Sequence, residues 1–204
     1  MVGPFSETLA WCKAGERLIF LDIARDRYFT VPEDRQDAVL EKLGIDRAAF
    51  WSQPELLPRP EQCFAPLHAS PDIREGPFRL ADVAAALWTQ RRVESRLIRT
   101  SFQTALFELR RLVEKRTRDG SVRSEISPTV RAFEHARLLR SAADRCLPRS
   151  MALTLRLARL GHRAHLVIGV KDRPFGAHAW VQHGDLVLND SLEEVRRYTP
   201  ILII

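Results

Sequence analysis

Short hydrophobic runs, separated by charged or glycine-containing turns, occupy the first third of the chain. Three of them follow one another between residues 8 and 31: TLAWCKAG, RLIFLDI and YFTV. Gly15 interrupts the first pair, and ARDR (24–27) separates the second run from the third. Apolar runs of this length between turn residues are typical of β-strands. The pattern predicts a three-stranded meander joined by tight turns.

A helical pattern and then a proline-rich stretch follow the meander. RQDAVLEKLG (35–44) has acids in its first turn and a glycine at its end, which predicts a helix, and Asp46 is expected to cap a short helix over RAAFWSQ (47–53). Six prolines lie between residues 52 and 80, so we interpret this stretch as a linker with at most short helical turns. A domain boundary near residues 75–80 follows.

Apolar residues recur every three or four positions after residue 80, which predicts helices. The helical segments are LADVAAALWTQRRVESRLIR (80–99), SFQTALFELRRLVEKR (101–116), TVRAFEHARLLR (129–140) entered at Ser127-Pro128, and CLPRSMALTLRLARLG (146–161). The strand-like runs after them are HRAHLVIGV (162–170), AHAWVQ (177–182) and LVLND (186–190). Helices followed by consecutive strands favour an α+β fold over a βαβ repeat.

Composition and motif content exclude several classes of protein. No apolar run reaches the roughly 18 residues required to span a bilayer, and the N-terminal residues lack a signal-peptide pattern, so we expect a cytoplasmic protein without a membrane span. We find no phosphate-binding glycine loop, no HExxH, no GxSxG and no internal repeat. The three cysteines cannot all pair and lack metal-ligand spacing, so we expect no metal, no cofactor and a cysteine that acts as a thiol.

The charge is unevenly distributed along the chain. Residues 1–80 contain 10 Lys and Arg against 13 Asp and Glu, whereas residues 81–204 contain 22 against 13. This contrast indicates two units, one acidic and one basic. The arginines of the basic part lie at helical spacing on polar faces, without interleaved aromatic residues or a nucleic-acid-binding motif. We therefore do not expect nucleic acid as a partner.

Cys146 opens the helical segment 146–161. Pro148 marks the first turn of that segment and Gly161 its end, so Cys146 is expected at or just before the helix N-terminus. The partial positive charge of a helix start favours the thiolate, which is the form that attacks carbonyl groups, and Arg145 and Arg149 add positive potential. Taken alone, a cysteine in this position is more often inert packing.

A thiol nucleophile needs a base within hydrogen-bond reach and a third group that orients the base. His178 and Asp190 are the candidates. If AHAWVQ and LVLND form an antiparallel hairpin with residues 183–185 as a three-residue loop, His178 and Asp190 are directly opposed and share a face. A two-residue turn would place Asp190 on the other face. The hypothesis of a triad with Cys146 therefore predicts a three-residue turn.

Ordinary structural roles compete with this hypothesis for each residue taken singly. His178 alone would be a strand histidine and Asp190 a strand-ending turn residue, but their combination with the cysteine favours a catalytic site. Trp180 is expected to line one side of that site and to shield it from water. Cys12 and Cys63 are interpreted as structural.

These segments resemble a known family. CLPRSMALTLRLARLGHRAHLVIGV (146–170) followed by AHAWVQHGDLVLND (177–190) is similar to the transglutaminase-like cysteine protease domain of lasso peptide biosynthesis B proteins, which are leader peptidases. The similarity covers roughly residues 80–204. LIFLDIARDRYFTVPED (18–34), with its D-x-x-x-D-R-Y-F turn, resembles the small precursor-recognition domain of the pyrroloquinoline-quinone pathway D protein.

The resemblance implies an α+β fold with two domains. Residues 1–78 would form a small winged-helix-like recognition domain, a β-meander plus helices, together with the linker. Residues 79–204 would form a transglutaminase/papain-like domain with an antiparallel sheet. The first domain would bind the leader of a ribosomal precursor peptide as an added strand at its sheet edge. The expected substrate contacts are Phe20, Asp22, Tyr28, Phe29 and, in the second domain, Trp180.

The resemblance also implies the chemistry and the partners. The second domain would hydrolyse the leader–core bond, with Cys146 as nucleophile, His178 as base and Asp190 as orienting acid. A separate asparagine-synthetase-like cyclase that uses ATP would join the freed core amine to an acidic side chain. Two alternatives stay open: a non-catalytic protein that only delivers the precursor, and an acyl transferase that uses the same triad, because hydrolysis and transfer share one thioester.

Overall fold

The computed structural model describes residues 8–42, 44, 46, 48, 63–69, 74, 76–116, 123–139 and 145–204. The strands in these residues are β1 (Leu9–Ala14), β2 (Arg17–Asp22), β3 (Arg27–Thr30), β4 (Cys63–Ala69), β5 (His165–Lys171), β6 (Gly176–Val187) and β7 (Thr199–Ile203). The helices are α1 (Glu33–Lys42), α2 (Leu80–Arg99), α3 (Phe102–Arg116), α4 (Arg123–Leu139), α5 (Cys146–Arg159) and α6 (Leu192–Val195). None of the described helices is long and apolar enough to span a bilayer. The predicted α+β class is confirmed.

The first sheet is the predicted antiparallel meander, in the order β1-β2-β3. Gly15 has a φ of 60° between β1 and β2, and Asp26 has a φ of 52° between β2 and β3, so each turn contains a residue in the left-handed region. The helix predicted after β3 is confirmed as α1. The short helix predicted over residues 47–53 lies almost entirely outside the described residues.

The second sheet has the strand order β4-β6-β5-β7. β5 is antiparallel to both of its neighbours, β6 and β7, whereas β4 runs parallel to β6. The interpretation of residues 52–80 as a linker is therefore wrong for residues 63–69, which form the edge strand β4. Pro66 lies within that strand, and an edge strand tolerates a proline because one side of its backbone needs no partner.

One apolar core joins the first sheet to the helices and the second sheet. Ile19 and Leu21 of the meander belong to the same buried cluster as Leu153 and Leu157 of α5. Removal of the meander would expose this buried apolar face to water. The division into a unit of residues 1–78 and a unit of residues 79–204 stays a prediction. Because the two share a core, that division is tested with substitutions in the full chain and not with truncations.

Helix α4 begins earlier than the sequence predicts. The Ser127-Pro128 pair was expected at the helix entry, but the helix starts at Arg123 and contains Pro128. Ile126 and Val130 flank the proline and are 1% and 0% exposed. Their burial in the core stabilises a helical path that the proline, which lacks an N–H donor, would otherwise disfavour.

Candidate active site

Cys146 is the first residue of α5, and Arg145 precedes it as the N-cap. This position agrees with the expectation drawn from the proline and glycine of the segment. Leu153 and Leu157 of α5 are fully buried, so packing in the core fixes the helix and therefore the cysteine at its start. The Cys146 side chain is partly exposed, whereas the other two cysteines are buried.

The imidazole of His178 lies between the thiol and a carboxylate. Nε2 of His178 is 2.7 Å from Oδ2 of Asp190, and Oδ1 of Asp190 accepts the amide of Ser191 at 2.8 Å. The thiol of Cys146 is hydrogen-bonded to His178. Because Nε2 faces the carboxylate, Nδ1 is the ring nitrogen left for the thiol. The structure thus brings the three residues together in the order thiol, imidazole, carboxylate.

These contacts change the pKa of each group. Burial acts to raise the pKa of Cys146, but its hydrogen bonds with His178 and with the backbone of Ala179 outweigh burial and lower it. Burial alone would lower the pKa of His178, yet hydrogen bonds with Asp190 and Cys146 raise it to about 9. The pKa of Asp190 is lowered in spite of burial, chiefly by the hydrogen bond to His178. The lowered pKa of Cys146 and the raised pKa of His178 both favour a thiolate paired with an imidazolium over the neutral pair.

The turn within β6 differs from the prediction. The strand is continuous from Gly176 to Val187, with Gly184 at a φ of 63°, and it does not break at a three-residue loop. The chain nevertheless turns back, because the amide of Leu188 donates to the carbonyl of Val181 at 2.9 Å. The predicted register, in which Trp180 is opposite Leu188, is wrong by one residue.

Asp190 still reaches His178 because the chain leaves strand geometry after β6. Residues 188–190 form bends. Within the bend, the side chain of Asn189 replaces a strand partner, since its Oδ1 accepts the amide of Val181 at 2.7 Å. The contact between imidazole and carboxylate is therefore one between a strand residue and the bend that follows. It is not the cross-strand pair that the sequence predicted.

Two aromatic rings lie beside the imidazole of His178. The ring centroid of buried Trp180 is 6.2 Å from that of His178, and the ring centroid of Tyr198 is 5.1 Å from it. Gly169 of β5 pairs with His178 across the sheet. A Cβ atom at Gly169 would lie 2.8 Å from the Trp180 ring and 2.9 Å from Cβ of Tyr198. A side chain at this position must therefore displace one of the two rings.

Substitution Gly169→Ala is expected to lower the free energy of unfolding by about 1–3 kcal/mol, because the new methyl group overpacks a closed part of the core. The matched control is Gly176→Ala, in which the three atoms nearest to the added Cβ all belong to the flexible side chain of Lys171. Denaturant unfolding of the two variants measures the difference. Equal stabilities of the two variants would contradict the close packing around His178.

The residues predicted to contact a leader lie in the first sheet at different depths. Phe20 is buried and stacks on Phe29 with 5.1 Å between ring centroids, while Phe29 itself is 45% exposed on β3. The carboxylate of Asp22 accepts hydrogen bonds from the amide and the guanidinium of Arg25, at 3.0 and 2.9 Å. Of these three, Phe29 presents the largest apolar surface to solvent.

Tyr28 connects the first sheet with the candidate active site. Tyr28 and Cys146 pack against the same buried cluster, and the Tyr28 ring lies 5.6 Å from that of Phe175, just before β6. Burial raises the pKa of Tyr28 to about 12, with smaller contributions from Asp26 and Cys146. The edge strand β3 thus lies on the side of the molecule that carries the thiol.

Several residues of this site were missed in the sequence: Ser150, Phe175, Asn189 and Tyr198. Ser150 could have been found in the sequence, because it is a polar residue on the apolar face of a helix and a buried hydroxyl group requires a hydrogen-bond partner. Tyr198 comes from the segment between α6 and β7, whose path no local pattern predicts. Among the described residues, no cluster of three or more His, Cys, Asp or Glu side chains could hold a metal ion.

The sequence has relatives that bear on this geometry. A sequence model of the transglutaminase-like superfamily matches residues 87–203. The chain is also 41% identical over 70 residues to the microcin J25-processing protein McjB of Escherichia coli, and this match covers 34% of the chain and 32% of McjB. The chain thus spans about a third of the length of that relative. No solved structure matches.

The resemblance noted in the sequence is confirmed as a similarity to McjB and to the transglutaminase-like model. The matched range of the model contains all three residues of the thiol, imidazole and carboxylate arrangement. Because that range is more than half of the chain, the protein belongs to the transglutaminase-like superfamily.

Proposed function

We propose that this protein is a cysteine peptidase that removes the leader from a ribosomally made precursor of a lasso peptide. The observation that carries the proposal is the partly exposed thiol of Cys146 at a helix start, hydrogen-bonded to an imidazole that Asp190 contacts at 2.7 Å. This is the arrangement by which a thiol is activated and its base oriented. The similarity to a protein named for microcin processing directs the proposal to peptide maturation.

The first half of the reaction forms a thioester. The thiolate of Cys146 attacks the carbonyl carbon of the scissile bond, so that a C–S bond forms. The C–N bond then breaks, and the imidazolium of His178 gives its proton to the departing amine of the core peptide. Asp190 keeps the ring oriented and stabilises the imidazolium. The raised pKa of His178, about 9, keeps that proton available at neutral pH.

The second half of the reaction consumes water. Neutral His178 removes a proton from a water molecule, whose oxygen attacks the thioester carbon. The C–S bond then breaks to release the thiolate and the leader as a carboxylic acid, which gives its proton to solvent, so that Cys146 and His178 return to the ion pair. The backbone N–H of Cys146 is the proposed donor to the oxyanion, because the first amides of a helix have no carbonyl partner within the helix.

The proposal assigns leader binding to the first sheet. Order β1-β2-β3 leaves β3 at an edge, where an extended peptide can pair with the backbone as an added strand. Phe29 offers an exposed ring there, and its neighbour Tyr28 is near enough to Cys146 for the thiol to contribute to the raised pKa of the tyrosine. A leader held along β3 would therefore be close to the thiol. Residues 1–78 are the proposed recognition unit and residues 79–204 the peptidase.

Substitution Phe29→Ala is expected to weaken leader binding about 10-fold, because it removes an exposed aromatic contact from the proposed binding edge. We expect the KM for precursor to rise by a similar factor while kcat changes little. Fluorescence anisotropy with a labelled leader measures the affinity. The control is Phe107→Ala, which removes a ring of similar exposure, 50% against 45% for Phe29, from α3. The same affinity in both variants would exclude β3 as the binding edge.

The proposed partners are the precursor leader and an asparagine-synthetase-like cyclase that uses ATP, both in the cytoplasm. The cyclase would consume the core peptide with its new free amine. An acyl transferase with the same thioester is the alternative activity, because it differs only in the nucleophile that reaches the thioester.

Cleavage in oxygen-18-labelled water separates hydrolysis from transfer. A peptidase is expected to yield a leader fragment that carries one labelled oxygen in its new carboxylate, because water supplies that atom. Mass spectrometry of the leader fragment reads this out. A leader joined to an added amine, without label, would instead assign the protein as an acyl transferase.

A further inference from the structure

A buried polar link connects the helix of the nucleophile with the strand and the bend that carry the other two site residues. The hydroxyl of Ser150 donates to the carbonyl of Ala179 at 2.9 Å and accepts Nδ2 of Asn189 at 2.9 Å. Oδ1 of Asn189 accepts the amide of Val181 at 2.7 Å. Ser150 and Asn189 are 0% and 4% exposed. The two side chains thus form buried hydrogen bonds with each other and with the backbone.

Each member of the link is adjacent to one residue of the site. Ser150 lies one helical turn after Cys146 on α5. Ala179 follows His178, and Asn189 precedes Asp190. The backbone of Ala179 is held from two sides, because its amide is hydrogen-bonded to the Cys146 thiol while its carbonyl accepts the Ser150 hydroxyl. Movement of the helix relative to the strand or the bend would break at least one of these bonds.

We infer that Ser150 and Asn189 are positioning residues, which hold Cys146, His178 and Asp190 in reactive register without touching the substrate. The inference rests on the proposed function for its kinetic consequences. Apolar contacts at this position would tolerate small shifts of the helix against the strand at little cost in free energy. Buried hydrogen bonds are directional, and a buried donor or acceptor left without a partner is strongly destabilising. Asn189 has a second task, since its bond to the Val181 amide creates the bend from which Asp190 reaches His178.

The chain offers a matched pair of variants. Ser150→Ala removes the linking hydroxyl. Thr154→Val removes another fully buried hydroxyl one turn further along α5, and Oγ1 of Thr154 has no hydrogen-bond partner in the structure as described. Both changes delete one oxygen from the same helix at the same depth. Only the first change breaks the link.

We expect Ser150→Ala and Asn189→Ala to lower kcat for precursor cleavage about 100-fold with little change in KM, because a displacement near 1 Å between reacting groups costs roughly that factor. Thr154→Val is expected to keep the wild-type kcat. If Asn189→Ala fails to fold, as judged by circular dichroism, the comparison of Ser150→Ala with Thr154→Val decides the question.

A second measurement does not depend on any substrate. Iodoacetamide alkylates the thiolate of Cys146 selectively, because Cys12 and Cys63 are each only 2% exposed. The ionisable groups near this thiol include His178 from β6, Tyr28 from β3 and Tyr198 before β7, and Arg145 and Arg149 flank it along the chain at the start of α5. When the link is broken and His178 no longer pairs with the thiol, the midpoint of alkylation rises toward the pH of an ordinary cysteine.

The outcomes separate the two proposals. A raised alkylation midpoint in Ser150→Ala and not in Thr154→Val supports the positioning role, even if no variant cleaves precursor, in which case only the proposed function fails. If Ser150→Ala matches Thr154→Val in both kcat and alkylation midpoint, the link is merely structural and the inference is overturned.

Discussion

Substitution of Cys146 by alanine is expected to abolish precursor cleavage, with a loss on the order of 10⁴-fold or more, while leader binding stays unchanged. The loss is large because the thioester cannot form without the sulfur, and the imidazole alone is no substitute nucleophile. Binding survives because the proposed leader edge belongs to β3, in a different element from α5. Mass spectrometry measures cleavage, and fluorescence anisotropy with a labelled leader measures binding.

The control for this variant is Cys63→Ala, which removes a thiol that is buried in β4. We expect that variant to cleave precursor at close to the wild-type rate. Cleavage retained by Cys146→Ala would reject the peptidase mechanism proposed for this chain. Loss of cleavage in both variants would point to a fold defect, which unfolding measurements would reveal.

Substitution Asp190→Asn is expected to lower kcat by a factor of about 10³–10⁴, because the amide neither stabilises the imidazolium nor holds the ring in its reactive tautomer. The change keeps the volume of the side chain, so it tests charge and orientation rather than packing. Asp185→Asn is the control, since that carboxylate lies near the turn of β6 and 3.7 Å from His68. Steady-state kinetics on both variants gives the comparison, and similar kcat values would remove Asp190 from the mechanism.

The same variant is expected to change the dependence of cleavage on pH. In the native protein the hydrogen bond to Asp190 helps raise the pKa of His178 to about 9, so activity should decline as the pH rises through about 9 and the imidazolium is lost. Without the carboxylate, burial lowers the pKa of His178 with less opposition, and this decline moves to lower pH. If the alkaline decline of activity occurs at the same pH in Asp190→Asn as in the native protein, a group other than His178 causes it.

Stability should follow the same titration. The pKa of His178 in the fold is above its ordinary value of 6.5, so the folded state binds the proton more tightly than the unfolded chain does. The stabilisation is therefore complete below about pH 6.5 and is lost as the pH rises through about 9. The same protonation of His178 beside Asp190 is therefore expected to support both cleavage and the stability of the fold.

Local pattern was sufficient to predict most of the secondary structure and the position of Cys146. Short apolar runs between turns gave the meander, and the proline and glycine of α5 marked its ends, because these signals act over a few neighbouring residues. The strand at residues 63–69 was missed for the converse reason. Its pairing with β6 is a long-range contact, and Pro66 gave a local signal against it.

The candidate site divides in the same way. The sequence by itself proposed Cys146, His178 and Asp190 as a candidate triad, since a thiol nucleophile needs a base and an orienting acid and the segments that carry them resemble a known family. Only the tertiary structure decided how His178 and Asp190 meet. The predicted register was wrong, and the contact depends on the side chain of Asn189 taking the place of a backbone partner. A hydrogen bond in which a side chain replaces the backbone of a paired strand leaves no periodic pattern in the sequence. It can therefore be located only in the folded structure.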